Sequence, residues 1–234
     1  MRETTSFKEV RMDKSTPKSY LGMIVVLGSL WGLAEAGLGM GLRSCAAYVS
    51  GALMAGAAMF FVAAGWAVSR KVLGIVLMVF MAAGFKLFDA LLLSYPLTHG
   101  AIGNPIFAFF MEALAFLILI AVMKAALMRR PAGQALLGGM AALLAANLFP
   151  LVRFATGVPA CVVAGTGYPL SLYYIHIAVA VTMITVPLGF WVGERLAAWD
   201  FRAAEAHHRK MVQAVLSPSA LVLCLAILAL LRLT

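Results

Sequence analysis

The sequence predicts an all-α integral membrane protein: a polytopic bundle of six core transmembrane helices followed by a short C-terminal seventh apolar helix. Three observations carry this expectation. Of the 234 residues, 64% are hydrophobic and only 12% are charged, whereas a soluble domain is roughly one-quarter charged. The mean hydropathy is +0.99, and the apolar residues gather in runs of about 20, the length that crosses a bilayer as a helix. The basic residues collect at the ends of those runs, overwhelmingly on one side.

Residues 1–19 (MRETTSFKEVRMDKSTPKS) are polar and mixed in charge, and read as a cytoplasmic arm. Residues 20–193 hold the six-helix bundle. The first span, 20–40, contains GSLWGLAEAGLG, in which Gly28, Gly32 and Ala36 recur every four positions and offer a close-packing face. Ala34-Glu35-Ala36 has the outline of a signal-peptidase site. The acid inside the triplet and the apolar run continuing to Met40 argue for an uncleaved helix. The second span, 45–68, is dense in Ala and Gly and closes at Ser69-Arg70-Lys71. The third covers 72–93. A turn-rich linker, 94–104, contains Pro96, Gly100 and Gly103. The fourth and fifth spans cover 105–127 and 133–151. Residues 152–169 read as a long outer loop, rich in Gly, Pro and Thr yet apolar enough to fold back over the bundle. The sixth span covers 170–193. Residues 194–216 mix charges with Leu196, Trp199 and Ala203 on one side, the pattern of a cytoplasmic amphipathic helix. Residues 217–234 form the last apolar helix, near the lower length limit for a span.

Orientation follows from the 18 Lys and Arg residues. With the N-terminus inside, 14 of them fall on the cytoplasmic side, three (Arg43, Arg153, Arg232) fall outside, and Lys86 lies within a span. The localisation implied by this asymmetry is multi-pass in a membrane, with a cytoplasmic N-terminus. The net charge of +9 is thereby accounted for by the lipid bilayer, and no nucleic-acid motif accompanies it.

The ionisable and polar residues inside the spans carry the functional signal. An ionised side chain near a bilayer centre costs roughly 2.5–3.5 kcal/mol on the insertion scale. Four of them facing lipid would cost on the order of 10 kcal/mol, which rivals the stability of a whole domain. They are therefore expected inside the bundle. Glu35, Lys86, Asp89, Glu112, Asn147 and His176, with Tyr174 beside His176, all fall in the outer third of their spans at about 1.5 Å per residue. A pocket open to the outside explains that common level. Glu35, Glu112 and Asp89 would hold a cationic or hydrogen-bonding group, and Lys86 or Arg153 an anionic one. Lys86 and Asp89, three residues apart, are also placed to pair with each other.

Other chemistries find little support. Cys45 and Cys161 both fall outside and would suit a disulfide if they lie close enough. There is no CxxC, and only His176 lies within a span, so neither zinc nor haem is indicated. His207-His208 with Glu205 reads better as a solvated helix face than as a metal site. No Walker A, GxSxG or HExxH occurs, so neither ATP hydrolysis nor intramembrane proteolysis is expected, and no cofactor is implied.

The GSLWGLAEAGLG, SGALMAGAAMF, GFKLFDALLL and NPIFAFFMEALAF segments resemble those of substrate-binding (S) components of energy-coupling factor (ECF) importers, over roughly residues 20–193. The resemblance implies a non-enzymatic subunit that captures a vitamin or micronutrient on its outer face. It also implies partners, namely a transmembrane coupling subunit and two ATPases, docked through small residues of the first helix such as Gly28, Gly32 and Ala36. A stand-alone proton-coupled carrier and a structural subunit of a larger membrane complex are the alternatives the residues allow.

Overall fold

Apolar sequence in water-free surroundings must satisfy its backbone internally, and helices do so within one segment. The computed structural model describes residues 19–41, 47–157, 159–163, 165–202 and 206–233, and every extended element among them is helical. The chain forms α1 (Ser19–Gly41), α2 (Ala47–Ser69), α3 (Val72–Leu92), α4 (Gly100–Val122), the short α5 (Ala125–Met128) and α6 (Pro131–Leu148). A 3₁₀ turn (Phe149–Leu151) leads into α7 (Val152–Thr156), and α8 (Leu170–Tyr173), α9 (Ile175–Arg202) and α10 (Ala206–Leu233) complete it. Seven of these stretches are long and apolar enough to cross a membrane, the last being Val215–Leu233. The protein is a multi-pass α-helical membrane protein. The N-terminal arm up to residue 18, Arg43 and Cys45 lie outside the described residues, and with them the Cys45–Cys161 pairing and Glu205.

Several boundaries differ from those read in the sequence, each for a local reason. α4 begins at Gly100 rather than 105, because His99 Nδ1 accepts from the Ala101 N–H at 3.2 Å and caps the helix. The His99 ring stacks on Tyr95, with centroids 4.4 Å apart. α3 ends in a Schellman-type turn, with Tyr95 N–H bonded to the Ala90 carbonyl and Ser94 at φ 55°. The first residues of the expected 152–169 loop are helical as α7, and further on Val162 and Pro169 form an isolated antiparallel bridge. Residues 170–193 are not one helix, since the chain breaks at Tyr174 between α8 and α9. Residues 194–216 are divided between the end of α9 and the start of α10, which runs through Pro218 into the seventh apolar segment.

The bundle's core occupies the end where α1 begins. Ile24, Leu27 and Trp31 of α1 pack there against Met59, Val62 and Ala63 of α2. Ile75 and Met78 of α3, Phe116 of α4, Leu137 of α6 and Phe190 of α9 complete the cluster. The most extensive helix contact is α2 with α9. It closes to backbone distance because Gly189 faces the Phe60 carbonyl and Gly193 the Ala64 carbonyl, with no room for a Cβ. The outer surfaces carry the apolar residues a bilayer requires, among them Phe80 at 60% and Ile184 at 65% exposure. At the core end, Lys71 lies over Tyr20, Arg70 over Phe190 and Arg195 over Trp191, a belt of basic and aromatic side chains suited to a membrane interface.

Candidate functional site

At the opposite end the helices part around a cavity of about 290 Å³. α4 supplies the largest share of its wall. Ala101, Asn104, Pro105, Ala108 and Glu112 follow the three- and four-residue spacing of one helix face, so a single stripe of α4 lines the space from mouth to floor. α1 contributes Glu35 and Gly39, α2 contributes Ser50, Gly51 and Met54, and α3 contributes Lys86. The far side is closed by Phe149, by Cys161 of the loop between α7 and α8, and by Ser171 and Tyr174 at the α8–α9 break. Gly51 matters here because a Cβ would collide with the Tyr174 ring, so its absence lets the phenol lie against α2. Ser171 Oγ donates to the Ala146 carbonyl at 3.1 Å and ties α8 to α6. A smaller void of about 30 Å³ continues beneath Glu112 and Tyr174, lined by Ala142, Ala145 and Ala146.

The charges are buried and unequally partnered. Trp31 Nε1 donates to Glu35 Oε1 at 3.4 Å, while the Trp31 ring packs 5.3 Å from that of Phe109. Lys86 Nζ reaches Asp89 Oδ2 at 3.4 Å and lies in the field of Glu35. Asp89 is gripped from α10 by Arg232, whose Nε donates to Oδ1 and whose Nη2 donates to Oδ2 at 2.8 Å. Glu112 senses Glu35 across the cavity and has no hydrogen bond or ion pair among the described residues. The buried set thus holds three carboxylates against two cations.

Of the residues singled out in the sequence, Glu35, Lys86, Glu112 and Tyr174 meet at this cavity. Asp89 lies beside it, turned to Arg232 and away from the wall. Three do not belong. Asn147 is exposed on the far face of α6, where its Nδ2 donates back to the Leu143 carbonyl at 2.8 Å. His176 is exposed on α9, two residues past the Tyr174 break. Arg153 is exposed on α7 and does not line the cavity. Depth along a span was readable for these residues, but the direction in which each side chain points was not.

The small-residue face of α1 is also spoken for within the chain. Gly28 packs on Met78 and Met81, Gly32 receives Phe85, and Ala36 is buried with Phe85, Cys224 and Leu228. α3 and α10 therefore occupy the surface expected to dock a partner. The sequence places Asn104 at the end of the 94–104 linker, whereas in the structure it stands on α4 at the cavity wall. Its Nδ2 donates to the Pro159 carbonyl at 3.3 Å and to Cys161 Sγ at 3.2 Å, joining the loop between α7 and α8 to that wall. The available signal was the eight-residue interval from Asn104 to Glu112, which puts the two about 80° apart, within one broad face of a helix. Among the described residues no three metal-ligating side chains converge. Comparison with protein families, with curated proteins and with solved structures returns no match.

Proposed function

We propose that this protein is a substrate-capture subunit of an importer, which binds a small solute in the membrane-embedded cavity and presents it from the outer face of a bacterial inner membrane. One observation carries the reading: ionisable side chains from three helices, Glu35, Lys86 and Glu112, line one cavity of about 290 Å³, and Glu112 has no ion pair there among the described residues. That volume stands at the lower edge of the roughly 300–1,000 Å³ of small-molecule sites. Buried ionisable groups around a concavity are the usual mark of a site.

The resemblance to S components of ECF importers supports the further step, in which solute is passed to a transmembrane coupling subunit energised by two ATPases. With Gly28, Gly32 and Ala36 covered by α3 and α10, such a subunit would meet another face of the bundle. The N-terminus is cytoplasmic in this reading, which places the basic and aromatic belt of Arg70, Lys71 and Arg195 on the inner side.

A second reading is favoured by the two facing carboxylates, Glu35 and Glu112: a stand-alone carrier that moves protons with its solute. Purification of the tagged chain from its own membranes separates the two. The capture subunit is expected to bring an ATPase with it, and to move no protons when reconstituted alone into liposomes. A chain that purifies without ATPase activity and carries protons across the vesicle membrane contradicts the capture reading.

A further inference from the structure

Two α4 residues that line the cavity carry acceptors with no donor opposite them among the described residues. Glu112 is 8% exposed and Asn104 is 4% exposed. The Asn104 amide is committed through Nδ2 to the Pro159 carbonyl and Cys161 Sγ, which leaves Oδ1 buried without a partner. Eight residues separate the two, a rise of about 12 Å. The cations nearby are otherwise engaged: Arg232 on Asp89, and Lys86 between Asp89 and Glu35.

Resting on the reading of the cavity as a solute site, we infer that its solute is a small organic cation, an ammonium or amidinium whose charge sits at Glu112 and whose second N–H or O–H donates to Asn104 Oδ1. A buried acceptor without a donor and a buried carboxylate without a counter-ion are both costly, and one such solute relieves both. Phe109, Phe149 and Tyr174 supply aromatic wall against which a cation's flank packs favourably. An anionic solute would meet Glu35, Glu112 and Asn104 Oδ1, all acceptors, with Lys86 alone in its favour. Asn104 is then a specificity residue, selecting solutes with a second donor.

Cys161 provides the test, because it is exposed and lines the cavity. In a Cys45→Ser, Cys224→Ser background, its modification rate is measured with two methanethiosulfonates, one carrying trimethylammonium and one carrying sulfonate. Each rate is divided by that of the same reagent with free 2-mercaptoethanol. The expected ratio favours the cationic reagent by tenfold or more, although the chain's net charge of +9 would by itself favour the anionic one. The preference is expected to persist at 0.5 M NaCl, because buried charges are screened far less than exposed ones. It is expected to fall toward one in Glu112→Gln. A ratio at or below one in the parent overturns the cation assignment and leaves the solute cavity standing. A preference that survives Glu112→Gln also overturns it. A Cys161 that reacts with neither reagent overturns the cavity reading itself. The parent's ratio decides the matter even if Glu112→Gln does not fold.

Discussion

Arg232 meets Asp89 as a fork, two parallel N–H···O bonds from a guanidinium to a carboxylate, with both side chains buried. Lys86 reaches the same carboxylate from the cavity wall at 3.4 Å, a longer contact than the fork makes. Removing the fork strands Asp89 with one long contact, and breaking a buried pair from one side costs about 3–5 kcal/mol. Arg232→Ala is therefore expected to lower the unfolding midpoint in detergent markedly, and Arg232→Lys less so, because it keeps the charge and loses the fork. The double variant Arg232→Gln, Asp89→Asn is expected to be milder than Arg232→Ala alone, since no buried charge is left uncompensated. An unchanged midpoint for Arg232→Ala contradicts this. The Lys86–Asp89 pair was legible from its spacing on one helix. The Arg232–Asp89 pair was not, because the partners lie 143 residues apart and nothing local joins them. Asn147 and His176 mark the same boundary: their positions along a span fix height, and only packing fixes azimuth. α6 is Ala- and Gly-rich all round, so its sequence names no inward face.

Among the elements, α2 and α9 define how close two helices come in this fold. A methyl added at Gly189 would press on the Phe60 carbonyl and lie 2.9 Å from Ala63 Cβ, so the backbones must separate. Gly189→Ala is expected to destabilise the protein by about 1–3 kcal/mol, the usual cost of overpacking. Gly84 in α3 is the matched control: it is exposed, and nothing lies within 4 Å of the position its Cβ would take. Gly84→Ala is expected to be neutral or to stabilise by up to about 1 kcal/mol through helix propensity. Equal unfolding midpoints for the two variants contradict the close-packing account. The spans themselves were readable because an apolar run of membrane length has few alternatives. Their ends were less so. A His side chain caps α4 so that it begins five residues before the expected start, and a break at Tyr174 splits what reads as one apolar run. That break is where the cavity gains its phenol, so the least legible boundary is also the one that shapes the site.

Across the whole molecule the two ends of the bundle differ in kind. One is packed around Trp31, Met59, Ile75 and Phe116 and ringed by basic and aromatic residues. The other opens on Glu35, Lys86 and Glu112 and is roofed by the loop that Asn104 holds through Pro159 and Cys161. α10 extends the bundle past six helices and contributes Arg232, so the seventh apolar segment is part of the site's support and not an appendage. Under the proposed function these features hold a solute, and native mass spectrometry of the protein released from lipid nanodiscs tests for it directly. The wild-type chain is expected to carry a small-molecule adduct, and Glu112→Gln to lose that adduct while keeping its charge-state distribution and unfolding midpoint. A wild-type chain that flies bare under conditions retaining bound lipid, or a Glu112→Gln variant that keeps the adduct, would contradict it.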